Sequence, residues 1–121
     1  MPTATGHTIA IGANRVLGTS VLDSEDQKVG NVEEIVLDKT SNRIMFAVVS
    51  LGGAVTVGNN FRALPWATLD YDEEKGAYKL QCPLEEVAKG PAHSAVEELI
   101  ANDAAEARDA AYEHFKINKD W

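Results

Sequence analysis

The sequence predicts a mainly β protein: a small antiparallel β-barrel of about six strands, followed by short C-terminal α-helices. Three observations carry this prediction. Between Asn14 and Cys82, short apolar runs alternate with polar, turn-forming clusters, the spacing of a barrel or sandwich. The run Ile44–Leu51 is apolar at both parities, so both faces of that strand need cover. After Cys82 the two-residue alternation gives way to helix start and stop signals. The chain accordingly divides into an N-terminal arm (residues 1–13), a barrel (14–82) and a helical C-terminal extension (83–121).

The arm, MPTATGHTIAIGA, is small and carries no Lys, Arg, Asp or Glu. A first strand within NRVLGTSVLD runs into the polar turn SEDQK. The second, VGNVEEIVLD, has Val32 out of phase with Ile35 and Leu37. A β-bulge across Glu33 and Glu34 restores the inward set and supplies the bend a small barrel requires. Lys39-Thr40-Ser41-Asn42 reads as a hairpin loop into the third strand, RIMFAVVSLGG. Simple alternation assigns Ile44, Phe46 and Val48 to one face of that strand and Met45, Ala47, Val49 and Leu51 to the other. Its outer face must be covered by the C-terminal segment or by a second copy of the chain. A fourth strand leads through FRALPW, and WATLDY pairs with AYKLQC across DYDEEKGA, where Gly76 can adopt a positive φ.

In the extension, Pro83 is placed at a helix N1 position, Glu85 and Glu86 lie in the first turn, and Gly90 stops the helix. Ser94 with Glu97, and Asp103 with Glu106, match the capping-box spacing. Ala104, Ala107, Ala111 and Phe115 recur at helical spacing and form a narrow alanine seam suited to packing on a sheet or on a partner. The tail adds Tyr112 and Trp121.

The chemistry-bearing patterns fail one by one. Gly53 and Gly58 have the outer spacing of a phosphate loop, but Asn59 and Asn60 stand where the lysine and hydroxyl are needed. The window DSEDQKVGNVEE from Asp23 has acids at calcium-loop positions but Lys28 where the turn glycine belongs. Cys82 precedes a proline at a strand end, the setting of a small buried hydrophobe. His7, His93 and His114 share no metal-ligand spacing, and His114 suits the C-terminal end of a helix dipole. Glu33-Glu34 and Glu73-Glu74 are adjacent, so on strands they point to opposite faces. The expectation is a protein that is not an enzyme, with no catalytic set, no cofactor and no metal.

Charge narrows the partners. Nineteen Asp and Glu against eleven Lys and Arg give a net charge of -8, and the basic residues are scattered. Direct nucleic-acid binding, which needs clustered cations, is not expected. No run approaches the ~20 apolar residues that span a bilayer, so no membrane insertion is expected either. The N-terminus lacks the basic region of a signal peptide. With a single cysteine, the reading is a cytoplasmic protein.

The ordered set RVLGTSVLDSEDQKVGNVEEIVLDKTSNRIMFAVVSLGG, VGNNFRALPWATLDYDEEKGAYKL and CPLEEVAKGPAH resembles the PRC-barrel domain. That pattern is a V-x-D strand, a polar turn, a K-V-G-x-V-E strand, an apolar strand ending in G-G, and a strand closing on L-P-W. The resemblance spans about Arg15 to His93. It implies a barrel in which Gly52, Gly53 and Gly58 bound strands and do not cradle phosphate. The barrel is shared with the H subunit of photosynthetic reaction centres and with the C-terminal domain of a ribosome maturation factor, where it docks and does not catalyse. An auxiliary role in ribosome maturation or in photosynthetic electron-transport assembly is the more distant implication. The family has no catalytic residues to carry over.

Two function classes follow. The first is a self-associating docking module, expected as a homodimer through the third strand or the alanine seam. Its candidate surface comprises Met45, Val49, Leu51, Phe61, Arg62, Trp66, Tyr112 and Phe115. The second is a carrier of a small ligand or ion whose barrel mouth lies near Phe61, Arg62 and Trp66. Trp and Arg are enriched among binding hot spots, whereas a purely structural role places Phe61 and Trp66 in the core with Arg62 solvated at the rim.

Overall fold

A computed structural model of the chain describes residues 12–52, 60–93 and 95–116, apart from the side chains of Asn102 and Asp103. Six strands form one curled sheet: β1 (Ser20–Leu22), β2 (Lys28–Asp38), β3 (Arg43–Leu51), β4 (Phe61–Leu64), β5 (Leu69–Asp72) and β6 (Ala77–Leu80). Their order is β4-β3-β2-β1-β6-β5. Helix α1 (Ala13–Val16) precedes the sheet, and α2 (Leu84–Lys89), α3 (Val96–Ile100) and α4 (Ala105–Phe115) follow it.

The sheet is mixed, which corrects the expectation of a wholly antiparallel barrel. Every neighbouring pair is antiparallel except β1 and β6, which run parallel. The cause lies at Pro65–Thr68. There the chain makes a 3-10 turn (Trp66–Thr68), held by the Thr68 N–H and hydroxyl, both donating to the Pro65 carbonyl at 2.9 and 2.7 Å. This corner bends the chain without reversing it, so β5 keeps the sense of β4 and β6 returns alongside β1 in the same direction.

The turns form where the polar clusters stand. Asp23 Oδ1 accepts the N–H groups of Glu25 and Gln27, so the acid at the head of the calcium-like window builds a turn. Asp38 Oδ1 accepts those of Thr40 and Ser41 in the Lys39–Asn42 loop. Gly76 takes φ +61° in the β5–β6 hairpin. The first strand is shorter than expected. Ala13–Val16 is a helical turn, Gly18 turns the chain at φ +86°, and only Ser20–Leu22 pairs.

Three bulges curl the sheet. On β2, Lys28 and Gly30 face consecutive residues of β1, leaving Val29 extra. Val32 and Glu34 face Val49 and Val48, leaving Glu33 extra, where the phase break placed it. On β3, Phe46 and Ile44 face Val36 and Leu37, leaving Met45 extra. This last bulge overturns the simple alternation assigned to β3. Below it Ile44 shares the inner face with Ala47, Val49 and Leu51, while Met45 joins Phe46 and Val48 outside. Each bulge switches parity and adds twist, as a closely curved sheet requires. Gly30 sits where β2 and β3 approach so closely that a Cβ would collide with the Ser50 carbonyl.

Two apolar cores result, one on each face of β3. The inner one gathers Val21, Val32, Ala47, Val49, Leu51, Leu64, Tyr78 and Leu80, with Val87 of α2. The outer one joins Val36, Met45, Phe46, Val48 and Ala63 to Leu99, Ala104, Ala107 and Ala111 of the C-terminal segment. Of the two covers the sequence left open for β3, the chain's own helices take the place. Their caps differ from expectation. Pro83 is the N-cap of α2 and not N1, Ala95 caps α3, and Ala104 at φ +61° caps α4, none through a side chain. Ser94 lies outside the described residues. Ala104 is 1% exposed, wedged between sheet and helix, so packing and not side-chain capping fixes where α4 begins.

Candidate docking end of the barrel

The residues proposed from sequence as one surface are dispersed by the fold. Val49 and Leu51 fill the inner core, and Met45 lies under the helices. All three are at most 5% exposed, so none presents a surface. Phe61 packs against the outer core, and Phe115 packs against the inner one. The Tyr112 hydroxyl donates to the Met45 carbonyl at 2.8 Å and ties α4 to β3.

Arg62 is buried, not solvated at a rim, with 4% exposure. Its Nη1 donates to the Phe61 carbonyl and its Nη2 to the Ala88 carbonyl, both at 3.2 Å. Ala88 lies in the last turn of α2, where carbonyls lack helical partners and the dipole is negative, so a guanidinium there is stabilised. Burial lowers the Arg62 pKa from its ordinary value. Phe61, Arg62 and Trp66 therefore do not form one mouth; of the three, Trp66 lines the open hollow described next.

Strand lengths explain that hollow. β2 and β3 extend past their neighbours: β4 pairs with β3 only from Ala47 to Ser50, and β1 pairs with β2 only from Lys28 to Asn31. The β2–β3 hairpin thus projects at the end of the barrel opposite α2. Its inner face carries Ile35, Leu37 and Ile44. Together with Val16, Leu17, Trp66 and Tyr78 these side chains line an apolar hollow of about 450 Å3, in which Glu34 is the one charged lining residue among the described residues. Trp66 and Tyr71 each meet the Tyr78 ring edge-on, at 5.4 and 5.2 Å, and this stack fixes the floor. Burial, and then the charge of Tyr71, push the Tyr78 phenol pKa up.

A second hollow of about 430 Å3 lies on the outer face of the same hairpin. It is bordered by Val36, Leu37, Asp38, Met45, Ile100 and Arg108, among others. Leu37 borders both. The exposed large hydrophobics among the described residues are Leu17, Leu37 and Ile100, at 37%, 58% and 42%, and all three line these two hollows. A third depression, over the β5–β6 hairpin, is polar, and one of its acids, Asp72, already accepts the N–H groups of Glu74 and Lys75. Sequence reasoning missed Leu17, Leu37, Ile44 and Ile100. A signal was available: the apolar runs of β2 and β3 are longer than the run that becomes β4.

The reactive groups lie elsewhere. Cys82 is half-buried beside α2, and burial followed by the Glu86 charge raises its thiol pKa, the opposite of an activated nucleophile. His114 Nε2 meets the Glu86 carbonyl at 2.6 Å, joining α4 to α2. Among the described residues no cluster of three or more His, Cys, Asp or Glu could hold a metal ion. Among them, too, no helix is long and apolar enough to cross a membrane.

No curated protein matches the chain. Among solved structures, one similar chain is a Pseudomonas aeruginosa protein assigned to 16S ribosomal RNA processing, RimM. It is 16% identical, with a TM-score of 0.41, over 64% of this chain and 47% of that one. The chain thus spans less than half the length of that relative. The sequence model of the PRC-barrel domain matches residues 9–85, which include all six strands and the bulged hairpin. On that match, the chain belongs to the PRC-barrel domain family.

Proposed function

We propose that this protein is a non-catalytic, cytoplasmic docking module that engages another polypeptide at the projecting end of the β2–β3 hairpin. One observation carries the reading. The exposed large hydrophobics of the described residues gather on two adjoining hollows and are not scattered over the surface. Exposed apolar side chains grouped in this way mark interaction sites. Self-association, expected from the sequence, would have to use this same end, because β3 and the alanine seam are consumed within the chain. A carrier role would use the inner hollow alone and would leave Ile100 without a purpose.

Site-specific photo-crosslinking in cells tests the proposal, with a benzophenone residue placed in turn at Leu37, at Ile100 and at the exposed Glu73, which borders neither hollow. Docking at this end gives the same polypeptide adduct from positions 37 and 100 and none from 73. Equal adducts from all three positions, or none from 37 and 100, would refute it.

A further inference from the structure

Building on that docking reading, we propose that the edge of β2 between Glu33 and Leu37, unpaired among the described residues, receives an extended segment of another protein as an added strand. The incoming residues alternate, apolar side chains entering the hollow beside Trp66 and basic ones lying along the acids of β2.

The edge is set by β1, which is only three residues long against the eleven of β2. The last backbone bonds between them are Val32 N–H to the Thr19 carbonyl at 2.9 Å and Gly18 N–H to the Val32 carbonyl at 2.6 Å. From Glu33 onward β2 pairs with β3 alone, and among the described residues no strand lies on its other side. The Ile35 N–H donates to Glu34 Oε1 at 3.1 Å, a side chain filling the place of a strand acceptor. An unpaired edge is a template for strand addition, and pockets beside it select alternate side chains.

The two hollows supply such pockets. Successive strand residues point to opposite faces. Beyond the Glu33 bulge, Ile35 and Leu37 face inward with the first hollow, while Glu34, Val36 and Asp38 take the outward positions of the ladder; Val36 and Asp38 border the second hollow, and Glu34, at the edge, borders the first. An added strand in register with this edge therefore meets an apolar row inside and an acid–apolar–acid row outside. Cross-strand neighbours of opposite charge stabilise a sheet and like charges destabilise it. That pattern calls for Val, Ile or Leu on the inward positions and Lys or Arg on the outward ones.

The same rule disfavours a second copy of this chain. Two β2 edges paired antiparallel about a two-fold axis at Val36 set Glu34 of each against Asp38 of the other. Acids then face acids twice, between chains that each carry a net charge of -8.

The test uses the full-length chain with Trp121→Phe, which leaves Trp66 as the sole tryptophan and a reporter inside the hollow. The probe is acetyl-Lys-Val-Lys-Leu-Lys-Ile-Lys-Val-Lys-amide, titrated against Trp66 emission. Saturable binding is expected, weakened about tenfold or more when Glu replaces every Lys. A similar loss, about tenfold, is expected when alternate peptide amides are N-methylated to remove strand donors. Leu37→Asp, at an exposed position that tolerates the change, should abolish the response.

Equal binding by the N-methylated peptide overturns strand addition while leaving docking at this end intact. Equal binding to Leu37→Asp reduces the effect to bulk charge attraction and overturns the site. No response up to about 1 mM peptide, an affinity too weak to act, overturns the proposal. A dimer in light scattering that Leu37→Asp dissolves would make a second copy the occupant and overturn the choice of a basic partner.

Discussion

The Tyr112 hydroxyl donates a 2.8 Å hydrogen bond to the carbonyl of Met45, the extra residue of the β3 bulge. A bulge withdraws its residue from the ladder, so this carbonyl needs another donor, and α4 supplies it. The contact registers the helix on the sheet at the point where β3 changes parity. Tyr112→Phe keeps the ring and removes only the donor. The expected loss is about 1 kcal/mol of unfolding free energy, read from the urea midpoint at unchanged m value. No change in midpoint would mean that water replaces the phenol without penalty.

Removing residues 91–121 strips Leu99, Ala104, Ala107 and Ala111 from the outer core and bares Phe46 and Val48, both fully buried in the intact chain. Such a patch on a sheet face drives association. Light scattering should show the truncated protein aggregating where the full chain does not. A monomeric, cooperatively folded truncation would show that the helical roof is dispensable.

Arg62 joins the edge strand β4 to the end of α2 through the Ala88 carbonyl. Arg62→Met preserves most of the apolar stem and deletes both donors. Stability should fall by about 2 kcal/mol, since charged hydrogen bonds are worth more than neutral ones. Lys at this position rescues only part of the loss, because an ammonium cannot reproduce the planar fork. Full rescue by Lys would show that charge alone matters there.

Asp26 turns the β1–β2 connection toward the β5–β6 hairpin and pairs with Lys79 at 3.1 Å and Lys75 at 3.7 Å. The hydrogen bond from Lys79, ahead of the other contributions, holds its carboxyl below the ordinary value of 3.8. A folded pKa below the unfolded one stabilises the fold above the unfolded pKa, and the contribution is lost as pH falls through the folded pKa. The urea midpoints of wild type and Asp26→Asn should therefore differ near neutral pH and converge below about pH 4. Added salt should shrink the neutral-pH difference, because the pair is exposed. A difference that grows toward low pH would contradict the assignment.

Much of the fold was legible because its signals are local. The Lys39–Asn42 loop, the positive φ at Gly76, the break at Glu33 and the stop at Gly90 each depend on a few neighbouring residues. The need for cover on β3 was legible too, from its two-sided apolar pattern. Met45 shows where such reading ends. Its bulge is invisible in a run where every residue is apolar, because a one-residue slip in IMFAVV leaves the pattern unchanged. Arg62 defied its expected solvation for a related reason. The carbonyl that accepts from it belongs to Ala88, far along the chain, and only the folded chain brings that donor and acceptor together.

The candidate site was least legible. Its side chains, Leu17, Leu37, Ile44, Trp66 and Ile100, come from five separated segments, and no short motif links them. By itself the sequence determined the family, the six strands, the turns and the fact that β3 has two buried faces. These follow from residue type, spacing and local backbone preference. The tertiary structure alone decided that β1 and β6 run parallel, that the C-terminal helices roof β3 in place of a second chain, and that the β2–β3 hairpin projects. Those outcomes depend on relative strand lengths and on a corner at Pro65 that bends without reversing. Exposure of Leu37 is a consequence of what its neighbours fail to reach, a property no local stretch of sequence contains.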